Sequence, residues 1–333
     1  MHNILSYMKK YKYRGESRMI LFKETSSKLK GIYKLIRMVP VIGWCMTSSL
    51  LALAFAIGNI DINYIVIINF ILAMLILIIL HGIVSHSIND KYDWISYTDQ
   101  KTRGILSGGS KVLKKGLLTI RDLDKLAIIG IISSLLIATF FVLKFGFLVF
   151  IGILIGIWSA VTYSLPPFRF SYKPFLGEWF CAFPALVTAT NAVYYILTGR
   201  ISFVSILISL INAFLCIGWL MHHHISDIEG DMRAFPIKKT TVLFTVLNFG
   251  REYAVVVPIV YYIFSLLLSF AGLFYISKAF LIPAIISLTC IILEGTTNTL
   301  DIDDITKKEN YMSFLVIINP IIILLYRIGG IYK

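Results

Sequence analysis

Two short polar stretches carry the residue types that could do chemistry. NDKYD, Asn89 to Asp93, follows the apolar run YIVIINFILAMLILIIL, and DIEGD, Asp227 to Asp231, follows a second apolar run. If the preceding helices continue into them, Asn89 and Asp93 lie four residues apart, Asp90 and Asp93 three, and Asp227 and Asp231 four, so each set shares a helix face. Bare carboxylates so placed repel one another, and a cation belongs between them. Ligands offering only oxygen favour a hard ion such as Mg2+, which binds through one or two carboxylates plus substrate phosphate. The natural guest is a diphosphate bridging both stretches. One such cluster alone would read as a solvated interhelical loop; two, on one side and four spans apart, read as a site.

Basic residues accompany the acids: Lys101, Arg103 and Lys111 after the first stretch, Arg233, Lys238 and Lys239 after the second, and Arg169 and Lys173 in YSLPPFRFSYKP. Such groups clamp phosphate oxygens, and some of them serve as topology signals. Asp301, Asp303 and Asp304 form a third acidic group, read as a solvated loop on the same face. Consecutive residues of His222, His223 and His224 point about 100° apart on a helix. They cannot all face one ion; either His223 or His224 faces the cavity, or all three are interfacial polar residues. Tyr163, Trp158, Trp94 and Tyr92 are available as π-faces for a carbocation.

The elements that must position these residues are membrane helices. The chain of 333 residues is 58% hydrophobic and only 15% charged, with a mean hydropathy of +0.82, which excludes a water-soluble globule. Runs long enough to span occur near 38–58, 63–85, 126–143, 146–164, 175–197, 203–222, 254–275, 279–296 and 312–329. Continuous apolar runs fit helices and not the alternating strands of a barrel. The expectation is an all-α transmembrane bundle of nine helices (residues 38–333) behind a basic N-terminal arm (residues 1–37). The arm and the loop after the second span carry 10 and 8 Lys+Arg, against 5 for all opposite-side loops and the C-terminus. That bias places the N-terminus and both acidic stretches in the cytoplasm and the C-terminus outside. The arm has few interleaved aromatics, so its partner is anionic membrane lipid and not nucleic acid. Cys45, Cys181, Cys216 and Cys290 fall inside spans without ligand spacing and read as small buried hydrophobes.

Together these features resemble the UbiA superfamily of intramembrane prenyltransferases. NDKYD matches that family's NDxxD signature, DIEGD its DxxxD signature, and YSLPP (Tyr163 to Pro167) resembles the segment after its fourth helix. SGGSKVLKKGLLT (Ser107 to Thr119) resembles the menaquinone-branch dihydroxynaphthoate polyprenyltransferases. His223, His224 and Ser226 depart from the family pattern before Asp227, and AFPIKKTT lacks the usual Gly before Lys and Thr. The resemblance implies transfer of a polyprenyl group from a polyprenyl diphosphate to an aromatic acceptor such as dihydroxynaphthoate. Mg2+ is then held by Asn89, Asp90, Asp93, Asp227 and Asp231, with Asp90, Asp93, Asp227 and Asp231 catalytic. Asn89, Asp99, Lys101, Arg103, Tyr163, Arg169, Lys173 and Lys239 are the implied substrate contacts. An intramembrane terpene cyclase of the same superfamily is the alternative reading. A cation transporter is the third; it fits less well, because transport groups belong near the bilayer midplane.

Overall fold

The computed structural model describes residues 25–100 and 108–331, so Lys101 and Arg103 lie outside the described residues. Every regular element among them is helical. Helix α1 covers residues 25–36. The membrane helices follow as α2 (Met38–Asn59), α3 (Tyr64–Ile95), α4 (Ile120–Phe145), α5 (Phe147–Thr162), α6 (Glu178–Thr198) and α7 (Phe203–Arg233). After a short α8 (Thr241–Phe249) come α9 (Arg251–Tyr275), α10 (Lys278–Gly295) and α11 (Ile302–Ile331). Eight of these are long and apolar enough to cross a membrane; α5, with 16 residues, is shorter.

Local signals set the helix starts. The Asn63 side chain accepts from the backbone N–H groups of Ile65 and Val66 at 3.0 and 3.1 Å and opens α3. Capping boxes, Thr119 with Asp122 and Ser202 with Ser205, open α4 and α7. Helix α3 holds no proline and runs on through Gly82 and a π-helical stretch, so its 32 residues extend about 48 Å, well past an apolar layer of about 30 Å. Its final turns therefore carry Asn89, Asp90 and Asp93 out of the hydrocarbon. The 31 residues of α7 do the same for Asp227 and Asp231.

Residues turned outward on α3 and α4, such as Ile67, Ile71, Ile132 and Leu136, are exposed and apolar, as a lipid-facing surface requires. Small residues let the inner helices approach closely: Gly43 lies under the Trp219 ring and Gly218 under Tyr262. Polar pairs cross between helices, Asn212 to Ser48 at 3.0 Å and Asn191 to Ser209 at 2.8 Å. All four cysteines are free and buried. Three π-helical stretches, Ile42–Met46, Ile79–Ser85 and Glu178–Ala182, interrupt α2, α3 and α6, and each contributes residues to one central cavity.

Of the boundaries that differ from the sequence expectation, two bear on the site. The last helix begins at Ile302, ten residues before 312, because Asp301 caps it: its Oδ1 accepts from the Asp303 backbone N–H at 2.9 Å. Asp304 accepts from the Asn298 backbone N–H at 2.8 Å and pairs with Lys308 at 2.9 Å. The third acidic group is therefore a helix start rather than a loop. Residues 25–36, part of the basic arm, are helical, and Leu35 packs with Val112, Leu118 and Leu123 in a small core of its own.

Candidate active site

Asp93 is the most heavily braced of the first set. Its Oδ1 accepts from the Tyr172 hydroxyl at 2.9 Å, and its Oδ2 from Asn89 Nδ2 and Lys238 Nζ, each at 2.8 Å. Asn89 Nδ2 also donates to the Ser164 hydroxyl at 3.2 Å, which ties the YSLPP segment to the end of α3. Burial together with the adjacent Asp93 carboxylate pushes the Tyr172 phenol up, so it stays a donor. Asp90 turns the other way. It accepts from the Arg37 guanidinium and from the hydroxyl of Ser110, whose backbone N–H adds a contact at 3.2 Å. This clasp needs glycine: Gly108 and Gly109 have φ of 81° and 63°, and a Cβ on Gly109 would meet Asp99, Asp90 and Arg37. Gly109→Ala should therefore cost about 1–3 kcal/mol of stability, and weaken donor binding, in thermal unfolding and donor titration of the detergent-solubilised protein.

From the second set, α7 turns Trp219, Leu220, His223, His224 and Asp227 toward the cavity along one stripe. Asp227 Oδ2 pairs with His223 Nε2 at 3.4 Å, while Oδ1 is buried without a partner. Asp231, one turn on and 0% exposed, lies behind this lining. It faces Lys238 Nζ at 4.0 Å and accepts from the Thr240 hydroxyl at 3.4 Å. Lys238 therefore joins the two acidic stretches. Burial alone would lower its pKa, but the Asp93 and Asp231 carboxylates outweigh that and hold the ammonium well above its ordinary value.

Lys238 takes the place the sequence assigned to Lys239. The Lys238 backbone N–H donates to the Asp231 carbonyl at 3.1 Å, folding the chain back against the end of α7. This turns Lys238 inward and leaves Lys239 exposed, its ammonium 5.1 Å over the Phe244 ring. Arg169 packs on the Tyr92 and Tyr172 rings at 5.5 and 5.3 Å, and Lys173 lies 5.8 Å over Phe170. None of these three lines the cavity, whereas Tyr163 does. Trp158, Trp94 and Tyr92 also stand outside it.

The cavity has a volume of about 560 Å³. Arg37, Asp99 and Lys111 stand at its polar end, beside Asn89, Asp93 and Asp227. The walls beyond are small or apolar, among them Leu77, Gly156, Ala185 and Ala189, with Trp44 and His81 stacked at 5.0 Å. Burial first, and then the Asp93 charge, push the Asp99 carboxyl up to about 7, against the opposing pull of Lys238 and Arg37. Folded Asp99 thus keeps its proton where unfolded Asp99 has lost it, and its contribution to stability falls as pH rises from about 4 to 7. In metal-free buffer, Asp99→Asn should raise the apparent Tm above that of wild type beyond pH 7, with the two converging below pH 4.

Sequence reasoning missed two contributors. Arg37 was assigned to the arm, yet it reaches Asp90. Glu309, from α11, bonds His223 Nδ1 at 2.8 Å and lines the cavity with Asn310 and Ser313. Glu309, Asn310 and Ser313 stand at i, i+1 and i+4 on α11, but the charged residues just before them, Asp303 to Lys308, masked that spacing in the sequence. The donor set fits a hard cation: oxygens of Asn89, Asp93 and Asp227 border the cavity, and Asp227 Oδ1 has no partner. Among the described residues no three His, Cys, Asp or Glu side chains converge into a ready-made metal shell, and Mg2+ takes its other oxygens from ligand or water.

Comparison with known proteins places the fold. No curated protein matches the chain in sequence. A UbiA homolog from Archaeoglobus fulgidus, bound to GPP and Mg2+, superposes with a TM-score of 0.62 at 19% identity, over 88% of this chain and 99% of that one. The same homolog bound to DMAPP and Mg2+ gives 0.62 at 18%, over 88% and 98%. A structure of digeranylgeranylglyceryl phosphate synthase gives 0.54 at 17%, over 91% and 99%. The model of the UbiA prenyltransferase family matches residues 45–318, most of the chain and both acidic stretches, and the protein belongs to that family.

Proposed function

We propose that the protein transfers a polyprenyl group from a polyprenyl diphosphate to an aromatic acceptor within the membrane, in menaquinone-type lipoquinone synthesis, with dihydroxynaphthoate as acceptor. The observation that carries this reading is Lys238, whose ammonium joins Asp93 to Asp231 beside one largely apolar cavity. The Archaeoglobus homolog binds GPP or DMAPP with Mg2+, which supports the same donor class and metal here.

Asn89, Asp93 and Asp227, which reach the cavity, are the Mg2+ ligands of this reading. Asp90, paired with Arg37, and Asp231, paired with Lys238, would complete the carboxylate set around the metal. Held there, Mg2+ would supply Lewis-acid stabilisation of the leaving diphosphate. Arg37, Lys111 and Lys238 present cations to the phosphate oxygens. The apolar walls take the prenyl tail and exclude water, and the Tyr163 ring offers a π-face to the allylic cation. The Lys and Arg excess on the arm and after α3 supports a cytoplasmic site and an outside C-terminus. The membrane is the cell membrane if the host is a bacterium.

Product analysis tests the reading. Membranes given Mg2+ and polyprenyl diphosphates of several lengths should form a prenylated naphthoate product only when dihydroxynaphthoate is added. Terpene hydrocarbon or alcohol formed without an acceptor would overturn it in favour of a cyclase.

A further inference from the structure

Glu309 is a carboxylate that neither acidic stretch supplies. Its side chain is only 5% exposed and borders the cavity. Oε1 accepts from His223 Nδ1 at 2.8 Å, while Oε2 is buried and has no partner. His223 Nε2 faces Asp227 at 3.4 Å, so both ring nitrogens face carboxylates, an arrangement that an imidazolium satisfies. A carboxylate oxygen left open in a largely apolar cavity is costly unless a ligand donates to it. Both ring nitrogens of His223 and Glu309 Oε1 are taken, and Oε2 is left as one acceptor position beside the cavity, which a single hydroxyl donor on a ligand satisfies.

We propose that Glu309 Oε2 accepts the proton of a hydroxyl group on the prenyl acceptor, an inference that rests on the transferase reading above. The diphosphate leaves with the electron pair of the allylic C–O bond. As the acceptor's O–H bond breaks, its proton passes to Glu309, and the electron pair left on oxygen moves toward the ring. A ring-carbon π pair then forms the C–C bond to the allylic carbon. The resulting dienone regains aromaticity when the group on the attacked ring carbon leaves, a proton to solvent or a carboxylate as CO2, its bonding pair staying with the ring, and Glu309 returns the proton to oxygen. The net products are the prenylated acceptor, diphosphate and one proton or one CO2. Glu309 is thereby a catalytic residue on the acceptor side, set apart from the carboxylates that face the diphosphate.

The test pairs Glu309→Gln with acceptors of graded hydroxyl acidity, screened first on the wild-type enzyme: dihydroxynaphthoate, its mono-methyl ethers and substituted 4-hydroxybenzoates. Glu309→Gln should lower kcat for transfer about 100-fold, with donor affinity unchanged. The loss should shrink toward wild type as the acceptor hydroxyl becomes more acidic or as pH exceeds its pKa. Methylating the acceptor hydroxyl should cost the wild-type enzyme about as much, and cost Glu309→Gln little more. Should the variant fail to fold, that methyl-ether comparison on wild-type protein still decides, since transfer at an unchanged rate would refute the role. An equal loss for acidic and weakly acidic acceptors, or a loss of donor binding in Glu309→Gln, also overturns it. A wild-type enzyme that prefers a hydroxybenzoate sinks the naphthoate reading and leaves the role of Glu309 standing.

Discussion

Asp93→Asn should lower prenyl transfer by about 10³-fold, while the protein remains folded in detergent. The wild-type carboxylate receives three donors, from Tyr172, Asn89 and Lys238, at 2.8–2.9 Å. An asparagine amide has one acceptor oxygen, and its NH2 group must then face Asn89 Nδ2, Lys238 Nζ or the Tyr172 hydroxyl. That mismatch costs about 1–3 kcal/mol of stability, which the bundle tolerates because Asp231 still faces Lys238 at 4.0 Å. The larger effect is on chemistry, since a negative charge that borders the cavity is gone. Steady-state transfer, read beside thermal unfolding of the same preparation, separates the two.

Lys238→Met and Lys239→Met should differ sharply although the residues are neighbours. Lys238 has a side chain 7% exposed and stands between two buried carboxylates. Its removal leaves Asp93 and Asp231 buried without their shared cation, a change that costs about 3–5 kcal/mol. The apparent Tm should fall by about 10 °C, and transfer should be lost because the two acidic helix ends are no longer joined. Lys239 is exposed over Phe244, and its replacement should stay within about 0.5 kcal/mol. Equal effects of the two substitutions would contradict the assignment of Lys238 as the bridge.

The helices, and the end of the bundle at which chemistry gathers, were legible because both rest on local pattern. An apolar run whose helix continues through HGIVSHSI into NDKYD carries its acids beyond the lipid, and α7 repeats the device through HHHIS into DIEGD. What could not be read was orientation within a cluster. Asp90 and Asp93 share a helix end, yet one clasps Arg37 and the glycine loop while the other borders the cavity. That division is made by Ser110 and Tyr172, which lie some 20 and 80 residues away in the chain. Lys238 and Lys239 are likewise indistinguishable in sequence; a single backbone hydrogen bond to the Asp231 carbonyl decides which faces inward. Glu309 was hidden for a different reason. Its helix starts ten residues earlier than the apolar run that announces it, so Glu309 and Asn310, which line the cavity with Ser313, looked like part of a solvated loop.

The central claim is that two acidic helix ends share one diphosphate through a divalent cation, and calorimetric titration of a non-hydrolysable prenyl thiodiphosphate tests it most directly. Binding to the wild-type protein should require Mg2+, each of Asp93→Asn and Asp227→Asn should weaken it strongly, and the double variant should be little weaker than either single one. Binding that is tight without Mg2+, or that survives both substitutions together, would contradict the account.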